Sequence, residues 1–215
     1  MEKFWHHNGL SLVLFGLFLG TLGLGQFFTG MHQYNDARAE RGLPAVGPGD
    51  YGRSPHFVEA TMENWESEFF QMFAYVALTV FLFQKGSAES KDPDKPEPRE
   101  PALSPRSPWA ARRGGWIRKV YSHSLSLAFL VLFLLTFAFH ACSGARLFNE
   151  EEAAKGKASI TVLEYLAGSR FWFESFQNWQ SEFLAIGSMV VLSIYLRENG
   201  SPESKPVNTA HREHA

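Results

Sequence analysis

The stretch Asn64-Trp65-Glu66-Ser67-Glu68-Phe69 returns 114 positions later as Asn178-Trp179-Gln180-Ser181-Glu182-Phe183. Residues 34–91 align without a gap with residues 148–205, and 18 of the 58 aligned pairs are identical. A second shared block, Gly-Ser-x-Glu-Ser-Lys, lies at 86–91 and at 200–205. Self-similarity at a fixed spacing indicates one structural unit used twice. The sequence therefore predicts a tandem duplication, with each motif present at two related places.

Apolar and polar residues are segregated into blocks along the 215-residue chain. The mean hydropathy of −0.16 is typical of a soluble protein, yet residues 4–35 and 120–145 contain no Asp, Glu, Lys or Arg. Charge-free blocks longer than about 18 residues are typical of transmembrane helices. The copies of the repeated motif precede two shorter apolar runs. Together these runs predict an all-α integral membrane protein with four transmembrane helices, arranged as two tandem repeated hairpins with interfacial helices on the outer side.

The predicted organisation has four parts. A first two-helix repeat is followed by a proline-rich, charged linker that we expect to be disordered, a second two-helix repeat and a flexible tail. The first repeat covers residues 1–85, with spans at about 10–28 and 67–84, and the linker covers residues 86–115. The second repeat covers residues 116–198, with spans at about 121–142 and 180–196, and the tail covers residues 199–215.

The N-terminal apolar run also has the form of a signal peptide, because a lysine precedes it. The repeat favours a retained span, since Leu10-Ser11-Leu12 recurs in mid-chain as Leu125-Ser126-Leu127. Lys and Arg number 13 on the side that holds both termini and the linker, against seven on the other side. The positive-inside bias therefore predicts cytoplasmic termini.

Glu68 and Glu182 are the leading candidates for chemistry. The second and fourth apolar runs are short, about 21 Å of helix against about 30 Å of hydrocarbon, so crossing requires the preceding motif to enter the bilayer. An ionisable side chain at that depth is costly and is typical of a functional site. A possible proton or cation site comprises Glu68, Glu182, Asn64, Asn178, Ser67 and Ser181. Interfacial glutamates that only cap the polar loops are the alternative.

Other signals are weaker. Gly16 and Gly20 form a GxxxG pattern that predicts close helix packing, within the bundle or in a homodimer. Histidines at both ends of the long spans leave a b-type haem open as a minor alternative; they are His7, His123, His32 and His140. The single cysteine, Cys142, excludes an intrachain disulfide and a Cys-based metal cage. We predict no metal site and no cofactor.

Several of these motifs resemble those of a bacterial membrane-protein family catalogued only as a domain of unknown function. They are the blocks at 7–12, 64–69, 112–116, 171–183 and 200–206, which span nearly the whole chain. The resemblance implies the four-span architecture and a bacterial inner membrane. It implies no catalytic residue.

Two functional classes stay open. The sequence holds no nucleophile elbow, no His-Glu-x-x-His and no phosphate loop, so we expect a structural or accessory membrane protein without catalytic activity. The alternative is a small proton or cation channel or transporter that uses Glu68 and Glu182. The expected partners are the lipid bilayer and a second copy or another membrane protein. With a net charge of −2, nucleic acid is not expected.

Overall fold

A computed structural model describes residues 2–96 and 99–214. Within these residues all the regular secondary structure is helical, as predicted. The first continuous helical stretch comprises α1 (Glu2–Gly20), a π-helical segment (Thr21–Phe27) and α2 (Phe28–Glu40). The remaining helices are α3 (Pro48–Tyr51), α4 (Pro55–Leu78), α5 (Trp109–Arg113), α6 (Gly115–Tyr121), α7 (Ser124–Ala153), α8 (Val162–Ala167) and α9 (Ser169–Tyr195).

The chain forms two compact units. The first contains residues 1–62 and 139–171, and the second contains residues 63–138 and 172–215. Helices α4, α7 and α9 each contribute residues to both units. Between residues 79 and 108 the described chain contains turns and bends but no helix or strand. The segment predicted as a linker, 86–115, therefore consists mainly of irregular backbone and ends with α5.

In the first unit, two asparagines brace two loops in the same way. The side chain of Asn35 donates to the Val46 carbonyl at 3.1 Å and accepts from the Val46 N–H at 2.8 Å. Asn149 does the same with Ile160, at 2.9 and 2.8 Å. Each amide side chain satisfies both polar groups of a loop residue, which explains how an irregular loop is held after a long helix. The two braces lie 114 positions apart.

Two tyrosines of the same unit pack on glycines. The hydroxyl of Tyr51 would lie only 2.2 Å from a Cβ placed at Gly30, and the ring and hydroxyl of Tyr165 would lie 2.7–2.9 Å from a Cβ at Gly144. Both tyrosine side chains are buried. These glycines are needed because any side chain would occupy the space of the tyrosine. Gly144 and Tyr165 are again 114 positions after Gly30 and Tyr51.

An aromatic cluster holds α4, α7 and α9 together in the second unit. The ring of Phe70 on α4 lies 4.9 Å from that of Phe133 on α7 and 4.5 Å from that of Trp179 on α9, measured between centroids. Phe137 and Trp172 extend the cluster, with centroids 6.2 Å apart. Tilted and edge-on aromatic pairs at these distances add to the free energy of apolar burial.

Two helices are long and apolar enough to cross a membrane, Lys3–Glu40 and Ser124–Ala153. They coincide with the first and third predicted spans. Helices α4 and α9 do not satisfy this criterion of length and hydropathy in the part of the chain that the structure covers, because their first halves carry the polar motif residues. The second and fourth spans therefore stay predictions.

Gly16 and Gly20 are predicted to pack closely against another helix. A Cβ added at either glycine would meet nothing within 4 Å in the described chain, apart from its own helix backbone and its chain neighbours. The close approaches that the structure contains are instead at Gly30 and Gly144. Packing at Gly16 and Gly20 stays a prediction for a contact with a second chain.

We expect Gly144→Ala to destabilise the protein by about 1–3 kcal/mol, because the added methyl group overpacks the buried Tyr165 ring. The matched control is Gly187→Ala on α9, where no neighbouring atom lies within 4 Å of the new Cβ. That substitution is expected to stabilise by about 0.5–1 kcal/mol, since alanine favours helix. Thermal unfolding in detergent compares the two, and equal midpoints would contradict the packing described.

Candidate functional site

The parts of α4, α7 and α9 that lie in the second unit are acidic and have no basic residue. Residues 63–78 of α4, 124–138 of α7 and 172–195 of α9 contain no Lys, Arg or His. They contain five glutamates, which we call the carboxylate belt: Glu63, Glu66, Glu68, Glu174 and Glu182. A buried carboxylate is expensive unless it is neutralised or well hydrogen-bonded. The partners of these side chains therefore determine what the belt can do.

Glu66 is the most deeply buried member, with 0% of its surface exposed. The indole N–H of Trp179 on α9 donates to Glu66 Oε1 at 3.1 Å. Trp179 also packs against Phe70 and Phe133, so the carboxyl group lies beside an apolar aromatic wall. The Glu66 carboxyl group is thus shielded from solvent and hydrogen-bonded to a neutral donor.

Two further contacts join α4 to α9. The Asn178 amide donates to Glu63 Oε1, and the same amide nitrogen donates to the Glu174 carbonyl at 3.2 Å. The Gln71 amide donates to the backbone carbonyl of Glu182 at 3.1 Å. Glu63, Glu66 and Gln71 therefore contact α9 along about two turns of α4. The belt is a connected polar interface between the two helices that carry the repeated motif.

The structure brings the predicted pair Glu68 and Glu182 close enough to interact electrostatically, but it exposes them unequally. Glu68 is exposed, whereas Glu182 is half-buried. Asn64 is exposed and Asn178 is half-buried. The Asn178 amide donates to a belt carboxylate of α4 and so joins the two helices.

The two predicted serines support their own helices. Ser67 Oγ donates to the Asn64 carbonyl and Ser181 Oγ donates to the Asn178 carbonyl, both at 2.8 Å. Each hydroxyl therefore donates its hydrogen to a backbone carbonyl of its own helix and not to a carboxylate of the belt. Ser67 is buried and Ser181 is exposed, so only Ser67 lies within the packed part of the interface.

Glu66 and Glu63 were not predicted from the sequence, although a signal for them was present. Glu59, Glu63 and Glu66 are spaced by four and three residues, which places them on one face of a helix. Identity between the two copies points to Glu68 and Glu182 and not to Glu66, because Glu66 is replaced by Gln180 in the second copy. This difference between the copies is the sequence signal that distinguishes Glu66 from the repeated pair.

The first unit contains a separate acid–base pair. An oxygen of Glu59 and a ring nitrogen of His140 lie within 4.8 Å of each other, and both side chains are buried. The His140 ring lies on Phe171, with centroids 4.7 Å apart. An acidic and a basic side chain are therefore buried together in the first unit.

The four histidines that leave a haem open in the sequence differ in burial. His7, His123 and His32 are exposed. His140 is buried and lies beside a carboxylate and a phenyl ring.

The comparisons with known proteins identify the family. A family model described as "Domain of unknown function (DUF6766)" matches residues 1–215. The chain belongs to the DUF6766 family. This agrees with the resemblance found in the sequence motifs, and the family description assigns no activity. No curated protein and no solved structure matches the chain.

We expect Trp179→Phe to destabilise the protein by about 1–3 kcal/mol, because the buried Glu66 oxygen loses its indole donor. Trp116→Phe is the control, since the Trp116 side chain is 75% exposed; it should change stability by less than about 0.5 kcal/mol. Thermal unfolding in detergent measures both. Equal losses in the two variants would mean that the Trp179–Glu66 hydrogen bond contributes nothing.

Proposed function

We propose that this protein is a four-span membrane protein whose carboxylate belt carries protons across or within the bilayer. The surface of its first helical stretch supports a lipid environment. In α1 and the π-helical segment, large apolar side chains such as Leu10, Phe15 and Leu24 are two-thirds or more exposed. A protein surrounded by water rarely leaves so large an apolar surface uncovered, whereas lipid tails are its natural environment.

Helices α4 and α9 are proposed as the second and fourth spans. Their C-terminal halves also expose apolar side chains, among them Leu184, Val191 and Leu192 of α9. The 24 residues of α4 and the 27 residues of α9 give about 36 and 40 Å of helix at ~1.5 Å per residue. Either length suffices for the hydrocarbon layer, provided that the acidic first half enters the membrane.

The proposed orientation follows the positive-inside rule. Both termini and residues 86–115 lie in the cytoplasm of a bacterium, and residues 41–54 and 154–168 lie outside. About 30 Å of hydrocarbon takes about 20 residues of helix, so a span that ends at Leu78 begins near Val58. Glu66 lies eight residues, or about 12 Å of helix, after Val58.

The burial of Glu66 is the observation that carries the functional proposal. The segments of α4, α7 and α9 in its unit carry five glutamates and no Lys, Arg or His. A carboxyl group in this setting is stabilised by taking up a proton. Glu182, half-buried and near Glu68, is the proposed second proton carrier on α9. A proton held reversibly at such a group is the basis of intramembrane proton relays.

A structural role is the second candidate, and one observation favours it. The belt side chains bind each other across α4 and α9 through the Asn178–Glu63, Trp179–Glu66 and Gln71–Glu182 contacts. Polar contacts between helices can hold a membrane bundle together without transporting anything. In that case the protein is a scaffold or accessory subunit, and the belt serves to hold α4 and α9 together.

Reporter fusions test the topology. Fusions after Lys91 and after the tail are expected to report cytoplasm, and fusions near Gly47 or Lys157 are expected to report the opposite side, because Lys and Arg concentrate on the side of the termini. One reversed loop would contradict the four-span arrangement.

Proton flux tests the function. Liposomes that contain the wild-type protein should dissipate an imposed pH gradient faster than empty liposomes, because Glu66 exchanges protons. Glu66→Gln should reduce the rate to that of empty liposomes, while Glu68→Gln, on the exposed side of the same helix, should have a much smaller effect. The glutamine variant is expected to fold, since Gln180 occupies the equivalent position of the second repeat.

If the wild type dissipates the gradient no faster than empty liposomes, proton transport is wrong. If that wild-type protein is normally folded and Trp179→Phe destabilises it, the structural role would then be favoured.

A further inference from the structure

The repeated Gly-Ser-x-Glu-Ser-Lys segments, at 86–91 and 200–205, form two loops of the same construction in the second unit. The Ser90 hydroxyl accepts from the Gln84 N–H, and the Ser204 hydroxyl accepts from the Glu198 N–H, both at 2.8 Å. Gly86 and Gly200 both adopt a left-handed backbone, with φ of 84° and 89°, which favours glycine. These internal bonds fix each loop and place Lys91 and Lys205 at equivalent positions.

Both loops line one cavity of about 400 Å³. The first loop contributes Ser87, Ala88, Ser90 and Lys91, and the second contributes Pro202, Ser204 and Lys205. Phe83, Pro93, Pro96, Asp92, Lys95 and His214 complete the lining. The volume lies in the range of cavities that hold small ligands. Residues from both copies of the motif are thus needed to build it.

The cavity is positively charged. Three lysines and one aspartate line it. The aspartate, Asp92, accepts from the Asp94 N–H at 3.0 Å and pairs with Lys95 at 3.4 Å, so it offsets part of the lysine charge. Lys91 and Lys95 are both exposed and belong to the loop that borders the cavity.

Lys205 places a fixed charge in the wall of the cavity. Its side chain is 2% exposed, and its ammonium group donates to the carbonyls of Ala210, His211 and Glu213 at 3.2, 2.8 and 3.0 Å. Burial lowers the pKa of Lys205, and the nearby Arg197 lowers it further. The Glu213 carboxylate acts in the opposite direction. Because its three N–H groups are bonded to carbonyls, Lys205 contributes charge to the wall and not a hydrogen bond to a ligand.

His214 adds a donor of defined tautomer. The Gly86 N–H donates to His214 Nε2 at 3.0 Å, so Nε2 is an acceptor and the ring proton of the neutral form lies on Nδ1. An apolar wall of Phe83, Pro93 and Pro96 lies beside these polar groups. Phe83 ends a run of exposed apolar residues, with Phe81 75% and Leu82 61% exposed. The cavity therefore combines cationic groups with an apolar edge.

We propose that this cavity binds a phosphate group, carried by an anionic lipid head or by a soluble phosphomonoester. Ammonium groups of lysine are common phosphate partners, and anionic lipid heads lie at the cytoplasmic surface, where the proposed topology places these loops. The site is independent of the carboxylate belt, so its test does not depend on proton transport. A lipid would place its phosphate near Lys91 and Lys95 and its chains along the apolar run that ends at Phe83.

Native mass spectrometry of the detergent-purified full chain, titrated with phosphatidylglycerol, phosphatidylcholine or glycerol 3-phosphate, tests the site. Wild type should bind phosphatidylglycerol more tightly than phosphatidylcholine if the source is lipid, and should bind glycerol 3-phosphate if the source is soluble. The double variant Lys91→Gln, Lys95→Gln should weaken binding about 25-fold, or about fivefold per lysine, on the basis of ~1 kcal/mol for each lysine near an anionic head.

The control is Lys119→Gln, which removes the same charge from an exposed lysine outside the cavity lining and should leave the affinity unchanged. Lys205 is not substituted because it is buried. The proposal is overturned if wild type binds neither phosphatidylglycerol nor glycerol 3-phosphate. It is also overturned if phosphatidylglycerol and phosphatidylcholine bind equally and glycerol 3-phosphate does not bind. Equal affinities of the double variant and the Lys119→Gln control would also overturn it.

Discussion

The energetic cost of placing acidic side chains on helix segments that have no basic residue governs much of this structure. Helices α4 and α9 carry all five glutamates of the carboxylate belt. Their charge must be offset by hydrogen bonds, by protons or by exposure to a polar surface. The structure uses more than one of these: Trp179 and Asn178 donate to Glu66 and Glu63, and Glu68 is exposed. The contacts that reduce the cost also join the two helices.

The repeat explains why the same local solutions occur twice. Asn35 and Asn149 brace their loops through identical pairs of hydrogen bonds, and Tyr51 and Tyr165 pack on Gly30 and Gly144. Function is expected where the copies differ. Glu66 against Gln180 is one such difference, and it leaves a single fully buried carboxyl group among the belt glutamates. Tyr75, whose hydroxyl donates to Glu89 at 2.7 Å, is replaced by Met189 in the other copy.

Much of the fold could be predicted from the sequence because apolar blocks and a fixed spacing are strong signals. The all-helical class and the two long apolar helices follow from those blocks. The site was harder to predict. Glu68 and Glu182 are predicted because they recur in both copies. Whether a side chain is buried depends on which face of its helix packs, and that face is set by tertiary contacts such as Phe70 against Trp179. The cavity formed by the two Gly-Ser-x-Glu-Ser-Lys loops also depends on contacts between distant segments.

The function proposed for the belt requires Glu66 to be a buried carboxyl group that holds a proton near neutral pH. Infrared spectroscopy of the purified protein in lipid tests this directly, since protonated and ionised carboxyl groups absorb at different frequencies. We predict a protonated carboxyl band at neutral pH in the wild type, a weaker band in Glu66→Gln, and an unchanged band in Glu68→Gln. The absence of that band in the wild type, or an unchanged band in Glu66→Gln, would contradict a protonated Glu66.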